Sequence, residues 1–361
     1  MTLAEIAEKA ETSLGTVDRV IHRRGKVSPP VRERVEAVIA RYGYTPNLAA
    51  RHLKRKSVLT LGMLFPEPGS GSGYWDTIIE GIHNAAETFK AFNITLVPGF
   101  FDRYVKGDML AVGKSLLERG IDGMILAPVV SDDALALADL MRETPYVYVD
   151  SPPPGPPGAV SPMTSIAQNP YRSGHCAGRM MKLLRGSGRF IAVRMFDNAF
   201  NLRERIRGFA DYFAQDGSTQ VIEVENPSYE STALYDFLDS LFGRYDEING
   251  IFMVHAETHL VASYLVLRGI KSRVTLIGHD NLPLNRQALL DGAIDCLIDQ
   301  RPENQGFQAM SQFYRKQILG EKCSPLIEMP IDIFFKENII PQQAYPETNS
   351  DVLSNQRRSP A

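Results

Sequence analysis

From Val58 to about residue 340, short apolar runs alternate with segments of helical periodicity, and the alternation runs through twice. In the first pass VLTLGMLF (58–65) precedes a predicted helix over 76–92, ITLVPGF (94–100) one over 108–119, and GMILAP (123–128) one over 132–142. YVYVD (146–150) closes that pass, and a Pro-rich loop over 151–162, read as a rigid surface connection, interrupts. The second pass begins with a helix over 170–184 and RFIAVRM (189–195), then a helix over 203–215 and TQVIEVE (219–225). A helix over 231–242, GIFMVH (250–255), a helix over 257–268 and TLIGHD (275–280) follow. Strands alternating with helices in this way imply parallel sheets wrapped by helices. Two passes predict two similar lobes, with a ligand at the strand carboxyl ends in the cleft between them. Leu284–Leu290, the strand DCLIDQ (295–300), a long helix over 302–319 and the strand PIDIFFKEN (330–338) complete the body. The last stretch, 341–361, is rich in Gln, Asn, Ser and Pro and is predicted to be disordered.

The residues ahead of Val58 have a different chemistry. Residues 1–56 hold 12 Lys and Arg against 6 Asp and Glu, a net of +6, which leaves the remainder of the 361-residue chain at −9. Such an excess suits phosphate neutralisation, the main source of sequence-independent DNA affinity. Leu3, Ile6, Ala7 and Ala10 recur at helical spacing. Ser13 suits the N-cap of a second helix through Thr16, Val17, Val20 and Ile21, which Gly25 ends. Ser28 and Pro29 suit the cap and first position of a third helix, whose apolar stripe is Val31, Val35, Val38 and Ile39. Three such helices make a small bundle over 1–46. Pro46 breaks the chain, and NLAARHLKRK within 47–57 is a short helix that orders only against a partner.

A chain of this length needs two or three domains. No apolar run is long enough to span a bilayer, and the mixed-charge N-terminus is not a signal peptide. Cys176, Cys296 and Cys323 are widely spaced and read as buried reduced thiols, with no metal site, which points to the cytoplasm.

Together these features resemble the lactose-repressor (LacI/GalR) family of bacterial transcription regulators, over residues 2 to about 340. The resemblance is carried by Thr2-Leu3, Ile6-Ala7, Ala10, Ser13, Thr16-Val17, Arg19-Val20, Val27-Ser28, Tyr44, Pro46-Asn47, Ala50 and Leu53. It implies an all-α helix-turn-helix headpiece (1–46), a hinge helix (47–57) and a two-lobed body (58–340) of the type I periplasmic-binding-protein kind. Lobe 1 is placed at about 58–160 and 300–325, and lobe 2 at about 161–298 and 326–340. Leu14, Gly15 and Arg19 take positions that read base edges in the major groove, an arginine–guanine fork being the physical basis at Arg19. Ser13, Thr16, Ser28 and Asn47 match phosphate-contacting positions. For Ser13 and Ser28 a capping role and a phosphate role both remain open. Leu53 matches the hinge leucine that wedges into the minor groove at the operator centre. Glu11 stands where the family usually has Gly, Thr12 where it has Val, Asp18 where Ser is common, and Lys54 where a small residue is common. Operator sequence therefore does not carry over.

For the body the resemblance extends to ribose-binding proteins. It implies a sugar-like effector held by Tyr74, Trp75, Asp150, Arg205 in R-x-R-x-R-G-F, His255, Asp280 in G-H-D and Gln300, with Asn201 beside them. Carboxylate, guanidinium and amide groups around aromatic rings match hydroxyls that both donate and accept. Taken alone, Trp75 is equally a packing residue, Arg205 a helix-surface ion pair and His255 a core histidine, which here replaces a usual Asn. The stretch GSGSG (69–73) lacks the lysine of a phosphate loop, and no nucleophile–base set is evident, so the chain is not read as an enzyme and needs no cofactor. The expectation is a homodimeric, ligand-responsive repressor that binds a pseudo-palindromic operator in double-stranded DNA and has no membrane partner. A nucleobase-responsive repressor on the same fold is the first alternative, and a solute-binding transport receptor the second.

Overall fold

The computed structural model describes residues 1–21, 24–44, 58–69, 72–155, 158–195, 199–215, 217–226, 228 and 231–339. The expected hinge with Asn47 and Leu53, and the tail over 341–361, lie outside them. The chain divides into an N-terminal unit and a body that begins at Val58.

The N-terminal unit is three helices, α1 (Leu3–Lys9), α2 (Leu14–Ile21) and α3 (Pro29–Tyr42). Thr2 and Glu5 close a reciprocal capping box on α1: the Thr2 amide donates to Glu5 Oε2 at 2.8 Å and the Glu5 amide to Thr2 Oγ1 at 3.3 Å. The turn into α2 passes through Glu11, whose φ of 48° is left-handed, a conformation that favours glycine. Ser13 Oγ accepts the Thr16 amide at 3.2 Å, which caps α2 as expected. Ser28 sits at the cap position of α3, but its hydroxyl makes no capping bond. Ile6, Ala7, Ala10, Val17, Val20 and Val35 form the buried core. Helical spacing puts these side chains inward and leaves Ser13, Leu14, Gly15 and Arg19 exposed.

The body is built on two six-stranded sheets. In the first, β1 (Leu59–Pro66), β2 (Ile94–Phe101), β3 (Gly123–Leu126), β4 (Tyr146–Val149), β5 (Thr164–Gln168) and β11 (Leu326–Met329) run parallel in the order β11-β5-β4-β3-β1-β2. Helices α4 (Tyr74–Thr88), α5 (Asp108–Glu118), α6 (Ser131–Leu140) and α12 (Pro302–Phe313) belong to this lobe. Both sheet faces are covered. Met63, Ile125 and Val147 pack with Ile78, Ile82 and Phe313 on one side, while Leu64, Met124 and Leu126 pack with Met109, Leu116 and Leu137 on the other.

The second sheet holds β6 (Gly188–Met195), β7 (Thr219–Asn226), β8 (Ile248–Met253), β9 (Thr275–His279), β10 (Cys296–Asp299) and β12 (Asp332–Phe334), in the order β12-β10-β9-β8-β6-β7. Only the short β12 is antiparallel, against β10. Its helices are α7 (Pro170–Arg185), α8 (Phe200–Phe213), α9 (Ser231–Arg244), α10 (Thr258–Leu267) and α11 (Pro283–Leu290).

Two strands missed by sequence reading move the lobe boundaries. β5 and β11 pair with each other in the first sheet, so 164–168 and 326–329 belong to lobe 1, not lobe 2. The chain therefore crosses between lobes three times, after Gln168, after Asp299 and after Met329. The long helix expected to 319 ends at Phe313 and continues as a π turn over Tyr314–Ile318, and the closing strand spans only Asp332–Phe334. Cys296 is buried as expected, but Cys176 and Cys323 are only partly so.

The buried Gln168 amide holds the three crossings together. Its Nε2 donates to the Asp299 carbonyl and to the Pro330 carbonyl, both at 2.9 Å, from the first crossing to the second and third. Each lobe also contains one pair of helices in backbone contact. A Cβ on Gly81 of α4 would lie 1.9 Å from the Glu303 carbonyl of α12, and one on Gly208 of α8 would lie 2.0 Å from the Tyr171 carbonyl of α7. Glycine is what lets these helices approach so closely, and the approach fixes where the first turns of α4 and α8 end up.

Candidate functional site

Tyr74 and Trp75 open α4, and Asn201 and Arg205 lie in the first two turns of α8. Facing them are Asp150 after β4, His255 after β8, Asp280 after β9 and Gln300 after β10, all at strand carboxyl ends. All eight residues selected from the sequence line one polar cavity of about 60 Å³ between the two sheets. Ser72, Arg103 and Glu257 line it as well and were not anticipated.

The two aspartates occupy corresponding places in the two lobes. Both have left-handed backbone, φ 70° at Asp150 and 67° at Asp280, a conformation Asp tolerates better than most residues. Each amide donates to the next strand of its own sheet, Asp150 to the Ile166 carbonyl at 2.9 Å and Asp280 to the Ile298 carbonyl at 2.7 Å. This geometry turns both carboxyl groups off the strand ends into the cleft.

Asp150 spans the lobes. Tyr74 Oη donates to its Oδ1 at 2.7 Å, and Asn201 Nδ2, from lobe 2, donates to its Oδ2 at 3.1 Å. On the other side Arg205, 3% exposed, donates to the Val254 carbonyl at 2.8 Å and to Gln300 Oε1 at 3.0 Å. Gln300 Nε2 in turn donates to Asp280 Oδ1 at 3.0 Å. Arg205 is thus buried against the cavity and is not a surface ion pair. Trp75 both packs and lines the cavity: its ring lies edge-on to Tyr74, with centroids 5.0 Å apart, and tilted against Phe65 at 6.4 Å.

Two buried amides support this frame without any motif to announce them. Gln305 of α12 accepts the Asp150 amide at 3.0 Å and donates to the Gln300 carbonyl at 3.1 Å, so it joins the two halves of the site. Asn285 of α11 donates to the carbonyls of Ala256, His279 and Asp280 at 2.7, 3.0 and 2.9 Å, which pins the loops after β8 and β9. A lone amide in a helix reads as a surface residue in sequence, and only its full burial reveals these roles.

The electrostatics follow from burial. Asp280 is pushed up to about 8, first by desolvation and then by the Asp299 and Asp150 carboxylates, against the opposing pull of Arg205 and Gln300. At neutral pH it is mostly a neutral acid, able to donate as well as accept. Burial raises the Tyr74 phenol well above its ordinary value, reinforced by Asp150 and Asp280. Burial lowers His255 well below its ordinary value, helped by Arg103, Arg205 and Arg194, so its ring is neutral. Its Nδ1 lies 3.8 Å from Glu257 Oε2, too far for a hydrogen bond. Among the described residues Asn201 Oδ1, Arg205 Nε and His255 Nε2 are buried polar atoms without a hydrogen-bond partner. Each such atom costs about 1–3 kcal/mol. A ligand rich in hydroxyls would satisfy all three.

Residues 2–47 match the family described as bacterial regulatory proteins, lacI family, and residues 63–322 match the periplasmic binding protein domain. The chain is 31% identical over 147 residues to the HTH-type transcriptional regulator pepR1 of Lactobacillus delbrueckii subsp. lactis, covering 41% of this chain and 42% of the relative. It is 28% identical over 151 residues to the lactose operon repressor of Escherichia coli, covering 42% and 41% respectively. The matched stretches thus span about two fifths of these relatives' lengths. Among solved structures, a putative LacI transcriptional regulator from Bacteroides fragilis superposes with a TM-score of 0.71 at 26% identity, over 78% of this chain and 98% of the other. GanP, a glucose-galactose binding protein from Geobacillus stearothermophilus, shares the fold with a TM-score of 0.67 at 17% identity, over 79% of this chain and 99% of the other.

Proposed function

We propose that this chain, which belongs to the lacI family of bacterial regulatory proteins and has a periplasmic binding protein domain as its body, is a carbohydrate-responsive transcription repressor. It acts in the cytoplasm as a homodimer on a pseudo-palindromic operator. One observation carries the sensor half: side chains from both lobes converge on a single buried cavity whose unpartnered atoms are a mixture of donors and acceptors. That mixture suits hydroxyl groups, each of which donates and accepts. The solute-binding neighbours of this fold point the same way, one of them a protein from Burkholderia graminis in complex with D-arabinose.

For the DNA half, Leu14, Gly15 and Arg19 lie exposed along α2, the helix that would enter the major groove. Coupling between the halves needs an effector with different affinities for two states of the body. The hydrogen bond from Asn201 to Asp150 crosses the lobes, and a ligand that competes for both groups changes the energy of lobe closure.

The test is a thermal-shift screen of the full chain against pentoses, hexoses, sugar acids, sugar phosphates and purines, followed by operator selection from random duplexes with and without the hit. A bound ligand at 100-fold excess over its Kd stabilises by about 2.7 kcal/mol. A sugar hit that alters affinity for the selected duplex is the expected result. A purine hit replaces the carbohydrate reading with the nucleobase one, and failure to select any duplex removes the repressor.

A further inference from the structure

We propose that Leu14 and Gly15 form an apolar notch on α2 that selects the 5-methyl group of a thymine in each operator half-site. This rests on the DNA-binding reading above and extends it to the chemical group that these two residues recognise.

Gly15 is a residue that the fold does not call for. It is the second residue of α2, and its φ is not among the left-handed ones. A Cβ added there would meet only Ser13 Oγ, at 3.9 Å, an ordinary contact. Gly81 and Gly208 differ, because each lets two helices touch. Glycine also weakens a helix relative to alanine. The packing of the N-terminal unit therefore does not need this glycine, and its helix would form better without it. A surface that comes close to the helix backbone does need it.

The position of Gly15 says which surface. Successive residues of an α-helix are turned by about 100°. Val17 and Val20 mark the buried side of α2. Gly15 points about 170° away from their mean direction, at the centre of the outward face. Leu14 lies about 100° to one side of it and Arg19 about 40° to the other. All three are exposed, Leu14 by 52%. The leucine side chain makes an apolar wall, and the bare Cα of Gly15 makes the floor beside it.

In the major groove the base edges carry hydrogen-bond donors, acceptors and one apolar substituent, the C5-methyl of thymine. Leucine can pair with none of the polar groups, and laid over them it costs them their water. Over a thymine methyl the same side chain buries apolar surface, and the missing side chain at Gly15 leaves room for that methyl next to the backbone. One methyl group taken out of water is worth about a fourfold change in affinity, and one in each of two half-sites about fifteenfold.

The experiment uses the duplex selected by the full chain, with dU placed for dT at one position at a time, symmetrically in both half-sites. This removes the methyl group and keeps the base pair. In anisotropy titrations at fixed salt we expect one position at which the dT duplex binds about fifteenfold tighter than the dU duplex. Leu14→Ala, at an exposed position, should bring that ratio below about threefold. Gly15→Ala places a second methyl group where the base methyl sits, so it should reverse the preference and bind the dU duplex tighter. Hydrogen exchange at the Val17 and Val20 amides of Gly15→Ala should be no faster than in the parent. The notch is overturned by a selected half-site without thymine, by a parent indifferent to every substitution, by either variant keeping the parent's ratio, or by faster exchange in Gly15→Ala. In each of those cases the repressor reading stands, because a duplex has been selected. If no duplex is selected, the DNA-binding reading itself falls, and this inference falls with it.

Discussion

Exchange of Asp280 for Asn isolates one buried proton. Folding raises this carboxyl from an ordinary 3.8 to about 8, with burial as the main cause. Between those values the folded state holds a proton that the unfolded state has released. The stabilisation is complete below pH 4 and is lost as pH rises through 8. From pH 6.5 to 8.5 the loss works out at about 2 kcal/mol, which lowers a urea midpoint by roughly 0.5 M for a body of this size. His255, His259 and His279 are all held low by burial, so their contribution rises with pH while the unfolded imidazoles release their protons around 6.5, against the Asp280 loss. That rise is common to parent and Asp280→Asn and cancels in the difference between them. Asn copies the neutral acid: its oxygen accepts from Gln300 Nε2, and its nitrogen replaces the carboxylic O–H. Asn also tolerates the backbone φ of 67°. Urea titrations of both proteins across the window should show the parent losing about 2 kcal/mol relative to Asp280→Asn. Parallel pH profiles for the two proteins would refute the neutral-acid assignment.

Four further outcomes are expected. Arg205→Lys keeps the charge but cannot fork to the Val254 carbonyl and Gln300 together, so effector affinity by titration should fall at least tenfold while circular dichroism is unchanged. Gly208→Ala puts a methyl group 2.0 Å from the Tyr171 carbonyl and should destabilise the body by about 3 kcal/mol or more; an unchanged melting temperature would contradict the close crossing of α7 and α8. Gln168→Leu removes the shared donor from two interlobe carbonyls, costs about 2 kcal/mol, and should widen the ligand-free body in small-angle scattering. Glu11→Gly relieves a left-handed φ of 48° and should slow hydrogen exchange at the Val17 and Val20 amides of the full chain by an amount worth about 1 kcal/mol.

The alternation of strands and helices was legible because strands buried on both faces have to be apolar, as LGMLF, MIL and YVYV are. The two misses have physical reasons. TSIAQ in β5 is fully buried yet carries only Ile and Ala as apolar residues, and it follows a Pro-rich loop. LIEM in β11 is an edge strand whose Leu326 is 49% exposed. Missing these two strands shifted the lobe boundaries, because they are where the chain leaves and re-enters the first sheet. Residues at strand ends, such as Asp150 and Asp280, follow from the topology itself. Arg205 did not: its spacing in α8 suits a surface residue as well, and it was selected through the family motif. Gln168, Gln305 and Asn285 carry no signal at all, since an amide becomes structural only when the fold buries it among carbonyls.

The two lobes repeat one plan and use it for different chemistry. Each places an aspartate with left-handed backbone after its fourth strand and a glutamine at the end of its fifth, Asp150 with Gln168 and Asp280 with Gln300. Asp150 takes hydrogen bonds on both carboxylate oxygens, one of them from the opposite lobe, whereas Asp280 keeps its own proton. Gln168 turns its amide onto the chain crossings, whereas Gln300 turns its amide onto Arg205 and Asp280. One repeat thereby supplies the clasp of the interlobe crossings and the other the polar floor of the pocket. Gln305 bonds to both, through the Asp150 amide and the Gln300 carbonyl. A ligand that draws Asp150 away from Asn201 therefore perturbs a network whose other end lies one strand from the crossings. That adjacency is one physical route by which a ligand in the cleft would reach the relative position of the lobes.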